Sequence, residues 1–433
     1  MKKSILAFMY AAVTSLIISS CSADYFNEER YEDLIKDVFP VSGFDTNHSW
    51  NLMQTVNAIV DLNASPEGEY AVDIYDGNPM SNTTRKLATG IVKGTTVFKF
   101  SMPKDVNPST LYVVAYKGKT VVVDGTFPFV NSTLTVKSKA GDENEVNTVQ
   151  TAMSQEFTYC FEETYPEGGD FDFNDVVMGV SMRKSPKIVN DSANIVDIDV
   201  RLRAVGAVKG LAASMHINGV TPDDIAPYFT MPVKGWNYYI YPSISISDPK
   251  GKVGTTHYGD VCIDLFNDAH YAISGGLLDQ TGTQVPRVFF NTKTDSLGLD
   301  WLSVTPTITT YRLKFNDVEK FNSITIEDLD IFIISSYNGN NFEIHTPGYI
   351  KERSKYDYPV NNINVPWALV IPAIFRYPYE GVEIGRYDAD YDSYEGAYQL
   401  QKYSFVEWAR NRNNLNAQKW YRYPTEERVY PEN

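Results

Sequence analysis

The sequence predicts a mainly β protein, a small N-terminal β-sandwich followed by a larger β-sandwich-like domain that closes in a short helical segment. Three observations predict it. Short runs rich in β-branched and aromatic residues recur between turn formers, apolar and charged residues alternate along one of them, and helical periodicity is scarce before residue 398.

The chain opens with Lys2 and Lys3, a mostly apolar stretch over residues 5–18, and then Ser19, Ser20 and Cys21. This order is that of a secretion signal. Residues 18–21 fit a bacterial lipobox, so Cys21 is expected to carry lipid and to anchor the mature chain to the membrane. The apolar run falls short of the roughly 20 residues a spanning helix needs. Without the signal the chain keeps 36 basic against 54 acidic residues, a net charge of about −18. Such a surface repels nucleic acid and suits an exported body held at the outer membrane and exposed at the cell surface. Residues 22–43 read as a tether; its Asp24, Glu28, Glu29, Glu32 and Asp33 resemble the export tethers of Bacteroidota lipoproteins and equally suit a solvated linker.

Residues 44–138 form the first expected domain. Its runs 70–75, 96–101, 111–116 and 120–123 are separated by turn formers at 76–79, 117–119 and 124–125. Trp50, Tyr75 and Tyr112 are expected as its core or rim aromatics. Residues 139–150 are polar and read as a linker, and 151–433 as the second domain. There, residues 195–203 alternate apolar and charged side chains, and 311–315, 323–327 and 330–335 continue the β pattern. Tyr398, Phe405, Trp408 and Ala409 would line one face of a closing helix over 398–410. Cys160 and Cys262 lie in an exported chain, where a disulfide is permitted, but sequence does not give their separation.

The chemistry concentrates in residues 159–180. Asp170, Asp172, Asn174 and Asp175 follow Gly168 and Gly169 and precede the apolar Val176, Val177 and Met178. In an extended chain alternate side chains share a face. Asp170, Asp172 and Asn174 would then point one way, with Phe171 and Phe173 anchored in a core and Glu162 or Glu163 approaching from the preceding strand. Clustered hard oxygens suit calcium, which takes about six to eight of them. The spacing is not that of an EF-hand, whose sixth and twelfth places are Gly and Glu; here they are Asp175 and Ser181. The alternative is a tight acidic turn in which Asp and Asn side chains bond nearby amides.

The same stretch resembles the LruC-domain family of bacterial surface proteins. There a Phe-Glu-Asp element precedes Gly, Asp, aromatic, Asp, aromatic, Asn, Asp, Val, Val; here Glu163 takes the place of the second acid. Residues 204–207, the Pro-Trp-Ala at 366–368, Tyr377-Pro378-Tyr379-Glu380, the His-Thr-Pro-Gly at 345–348 and the Phe-Val-Glu-Trp at 405–408 match other segments of that family. The resemblance spans most of 155–421 and implies a β-rich surface domain, with little about mechanism. An insertion at 385–395, with Asp388, Asp390 and Asp392 alternating, reads as a solvated acidic loop or a second calcium loop.

Catalysis is not expected. His48, His216, His257, His270 and His345 are scattered without zinc spacing, and no nucleophile elbow, phosphate loop or dinucleotide fingerprint is present. The expected function is a non-catalytic, calcium-stabilised surface lipoprotein acting as an adhesion or matrix module. Two alternatives stand beside it: a glycan-binding accessory lipoprotein using exposed aromatics such as Trp236 and Trp301, and a carbohydrate hydrolase using paired acids among Glu162, Glu163, Glu167 and Asp170.

Overall fold

The computed structural model describes residues 38–62, 68–137, 153–165, 168–190, 193–225, 260–275, 288–293, 300–337, 340–347 and 364–431. Cys21, the tether up to residue 37, the linker 139–150, Glu167, Trp236 and His257 lie outside the described residues.

The protein is mainly β, in several sheets. The first seven strands are β1 (Met53–Asp61), β2 (Glu69–Tyr75), β3 (Arg85–Lys93), β4 (Thr95–Pro103), β5 (Thr110–Lys117), β6 (Thr120–Val130) and β7 (Thr133–Lys137). They are ordered β4-β1-β7-β6-β5-β2-β3, and the two-residue β8 (Met153–Ser154) adds parallel to β3. Along β1 the buried Val56, Ala58 and Val60 alternate with Thr55, Asn57 and Ile59, the period of a strand with one face in a core. β6 joins the two layers. Its residues 120–128 pair with β5, and Phe129 and Val130 pair with β7. Between the layers Val56, Val72, Phe100, Val113 and Leu134 share one core. The turn expected at Asp124 and Gly125 is not one: both lie inside β6, opposite Val114 and Val113. Turn residues can sit in a strand long enough to span two layers.

The second unit contains β9 (Glu156–Phe161), β10 (Val176–Ser185), β11 (Asn194–Ala204), β12 (Ala212–Ile217), β13 (Val261–Phe266), β14 (Val288–Phe290), β15 (Asp300–Leu302), β16 (Ile308–Phe315), β17 (Leu329–Tyr337), β18 (Asn340–His345), β19 (Ala368–Ile371), β20 (Arg386–Asp388) and β21 (Ser393–Glu395). An antiparallel sheet β16-β11-β10-β9-β19 and a second, β13-β12-β17-β18, contribute to one large core. Trp367, Trp408 and Trp420 are buried in it. Truncating an aromatic so buried costs about 3–5 kcal/mol.

Three further expectations change here, and the open question of the cysteines is answered. The stretch read as tether to residue 43 does not stay outside: Phe39 and Val41 are buried, and with Trp50 they belong to the second unit's core rather than the first's. Residues 323–327 are not a strand but the end of a helix (Val318–Ser323) and a 3-10 turn (Ile326–Asp328), which Thr325 and Asp328 cap reciprocally. The closing helix covers only Phe405–Arg410, because the Ser404 side chain caps it by accepting from the Glu407 amide. Cys160 and Cys262 are both buried and unlinked.

Candidate metal centre

The loop between the paired neighbours β9 and β10 carries the acidic motif. Glu162 follows the last residue of β9, and Asp175 precedes the first of β10. Both ends are thereby fixed by the sheet. Phe171 and Phe173 are buried with φ of 53° and 56°. A left-handed backbone is strained for side chains of this size and persists only where surrounding packing holds it. Phe39 and Trp367 supply that packing, with centroids 5.1 and 5.6 Å from the Phe171 ring. The loop is therefore not the extended ribbon whose alternate residues share a face, although the two Phe anchors lie in the core as expected.

Ligand oxygens of Glu162, Asp170 and Asp172 lie within 4.8 Å of one another. Oxygens across a calcium ion, each about 2.3–2.6 Å from it, can be that far apart. Asp170 is exposed at the mouth, while Glu162 and Asp172 are buried. Glu162 Oε1 accepts from the Phe173 amide at 2.5 Å. Asp172 Oδ1 accepts from the Asn174 amide at 3.1 Å, and its Oδ2 accepts from the Gly381 amide at 2.8 Å. Three buried oxygens around this group have no donor among the described residues: Glu162 Oε2, Asn174 Oδ1 and Glu380 Oε2. Orphan acceptors are costly away from water. Gly206 makes room for two of them, since a Cβ there would overlap Asn174 Oδ1 and stand 2.8 Å from Glu380 Oε2. The Gly206 amide in turn donates to the Asn174 and Asp175 carbonyls.

Two expected members are occupied elsewhere. Asp175 Oδ2 accepts from the Glu163 amide at 2.6 Å, and the Glu163 carboxylate is paired with Lys209. Glu380, from the segment after Pro378, is the member the motif itself did not reveal; its only signal was its place in Tyr377-Pro378-Tyr379-Glu380. Burial raises the pKa of Glu162, Asp172 and Asp175 well above the carboxylate range, and repulsion from neighbouring acids adds to it. Burial and then the Asp170 and Glu163 charges push Glu380 up to about 8. Asp170 moves in the same direction, crowded on its inner side despite its open mouth. A site whose anions repel one another in this way favours a bound cation.

The histidines are less scattered in space than in sequence. His216 lies opposite Asp330 in the register of β12 and β17, and His345 Nδ1 is 3.0 Å from Asp330 Oδ1. His345 Nε2 is 3.1 Å from Glu343 Oε2. The one metal-sized group of acids, histidines or cysteines among the described residues is nevertheless Glu162, Asp170 and Asp172. At 385–395 the acids serve a hairpin: Asp388 Oδ1 accepts from the Asp390 and Tyr391 amides, and Asp392 Oδ1 accepts from the Tyr387 hydroxyl. Trp50, Trp367, Trp408 and Trp420 are buried, and Trp301 is 40% exposed.

Residues 192–421, more than half of the chain, match the family described as domain of unknown function (DUF4842). No curated protein matches. A crystal structure of a candidate lipoprotein from Bacteroides ovatus is similar at 14% identity, covering 88% of this chain and 94% of that one, with a TM-score of 0.39.

Proposed function

The chain belongs to the family defined by that domain of unknown function, and from this premise we propose that it is a non-catalytic surface lipoprotein module whose second unit is stabilised by calcium. The observation that carries the reading is the convergence of three carboxylates with buried oxygens that have no donor. Glu162, Asp170 and Asp172 are the primary ligands, and Asn174 and Glu380 complete the oxygen set from the flank. The ion offsets the mutual repulsion of the acids and ties the β9–β10 loop to the turn at Pro378–Gly381. Glu162 is fully buried, which suits a clamp better than a pair of carboxylates that must straddle a polysaccharide. The lipobox at Cys21 and the acidic mature surface support anchorage at the outer membrane with the body facing outward as an adhesion or matrix module. We also assign the chain to the LruC-type surface proteins on the residues quoted for that resemblance, a name the family match does not itself supply.

The test is thermal unfolding of the chain from Asp24 onward, in calcium and in chelator. At one hundred times the dissociation constant, binding adds about 2.7 kcal/mol, expected as a rise of about 5–10 °C in the melting temperature. An unchanged transition would sink the calcium reading and leave the acids as a hydrogen-bonded turn.

A further inference from the structure

A cavity of about 290 Å³ opens between the two units, walled by β3 and β4 on one side and by β10 and the turn at 324–326 on the other. Its lining contains Lys86, Lys99, Arg183 and Lys184 and no acidic residue. In a chain with 54 acids against 38 bases this local reversal of sign is a departure from the rest of the molecule. Two of these cations are already engaged: Lys86 with Asp73 at 2.7 Å, and Arg183 with Asp199 through Nε at 2.8 Å and Nη2 at 3.1 Å. The other two lack a carboxylate. Lys99 is exposed and makes no ion pair among the described residues. Lys184 donates only to the Phe321 and Asn322 carbonyls, at 2.6 and 3.2 Å.

A second observation is independent of charge. Gln155 lines the same cavity and is 4% exposed; its Nε2 donates to the Pro372 carbonyl at 3.2 Å, while its Oε1 has no donor. A buried amide oxygen without a donor among the described residues is completed by a hydroxyl or N–H, from a ligand or from water. The remaining wall is in part apolar, with Phe157, Met182, Ile324 and Ile326. The volume lies just under that of typical small-ligand sites, roughly 300–1,000 Å³, which suits a single sugar ring.

We propose that this cavity binds a uronic-acid unit of an acidic glycan, with Lys99 and Lys184 taking the carboxylate and Gln155 Oε1 accepting from a ring hydroxyl. The apolar wall receives the C–H face of the ring. A neutral sugar leaves both lysines without a carboxylate. A bare inorganic anion leaves Gln155 without a donor. Burial lowers the Lys184 pKa to about 7, and a bound carboxylate would raise it again. The cavity lies on the strands that flank the acidic loop, but none of the loop's acids lines it, and binding there does not depend on calcium.

The test is isothermal titration of the chain from Asp24 onward, at fixed saturating calcium, with digalacturonate, galactose and sodium sulfate as probes. Saturable binding of digalacturonate is expected, with galactose and sulfate at least ten-fold weaker. Lys99→Glu, a change at an exposed position, is expected to weaken digalacturonate at least ten-fold while leaving the unfolding transition in place. Gln155→Leu is expected to reduce the preference for digalacturonate over sulfate. Absence of saturable digalacturonate binding overturns the proposal, as does equal binding by Lys99→Glu. Equal affinity for sulfate reduces the cavity to a simple anion site, and equal affinity for galactose removes the role of charge; either result also overturns it.

Discussion

Glu380 is where the calcium reading makes its sharpest demand on a single side chain. Its Oε2 is buried without a donor, and burial together with the Asp170 and Glu163 charges raises its pKa to about 8. Glu380→Gln replaces a carboxyl that must take up a proton to be buried among other acids. Without calcium this spares the cost of that protonation, so the variant's melting temperature in chelator is expected about 2–4 °C above that of the parent. With calcium an anionic partner is missing, and the gain on adding the ion is expected to shrink. A parallel shift in both conditions would separate Glu380 from the ion. A second residue-scale case is His345. Burial alone would lower its pKa, but the Asp330 and Glu343 carboxylates outweigh that and hold it up at about 10. Burial likewise would raise Asp330, yet His345 and His216 hold it at about 2. The raised histidine contributes stability that is complete below its ordinary pKa of 6.5 and is lost as pH climbs through 10. The depressed acid contributes above its ordinary 3.8 and loses that as pH falls through 2. Urea titrations from pH 4 to 10 are therefore expected to show stability declining above about pH 6.5. In His345→Gln this slope flattens, and the protein loses up to about 3 kcal/mol at neutral pH because the buried Asp330 is left with His216 alone.

At the scale of elements, the β9–β10 loop depends on a neighbour that has no side chain. The end of β11 leads into Gly206, and an added methyl there would occupy the space of Asn174 Oδ1. Gly206→Ala is expected to displace Asn174 and Glu380, to cost about 1–3 kcal/mol through overpacking, and to abolish most of the calcium-dependent rise in melting temperature. Calorimetry in calcium and chelator separates the two effects. The acidic motif was legible as a cluster of oxygens, and its Phe anchors as core residues. The left-handed backbone at Phe171 and Phe173 was not, because nothing local favours it; the packing of Phe39 and Trp367 imposes it. Glu163 and Asp175 looked like ligands by proximity in sequence, but Lys209 and the Glu163 amide engage them.

At the scale of the whole molecule, the two units are joined by polar contacts, one of them buried, as well as by apolar ones. The Asn322 side chain accepts from the Ile91 amide and donates to the Ile91 carbonyl, both at 2.8 Å, extending β3 as a strand partner would. Glu327 accepts from Ser101 and from Thr55, and Asp105 holds Tyr421 and Arg422 at 2.8 and 2.6 Å. Asn322→Ala leaves the amide and carbonyl of Ile91 unpaired in a buried place, for an expected loss of about 2–4 kcal/mol in urea unfolding. A loss below about 0.5 kcal/mol would mean that water repairs the contact. The segment before β1 adds a second tie, since Phe39, Val41 and Trp50 complete the core of the unit that follows later in the chain.

The sequence by itself determined the mainly β class, the runs that lie in β2, β4, β5 and β6, the alternation along β11, the anchoring role of Phe171 and Phe173, and the place of the acidic cluster. These follow from local pattern: alternation fixes a strand's faces, and clustered oxygens announce themselves within six residues. Tertiary structure alone decided which acids converge, that Glu380 and Gly206 join them, that His216 and His345 meet at Asp330, and that basic residues from β3, β4 and β10 line one cavity. Apart from the convergence of Glu162, Asp170 and Asp172 within one loop, each of these is a contact between segments far apart in the chain. Sheet register and core packing set such contacts, and no local propensity encodes them.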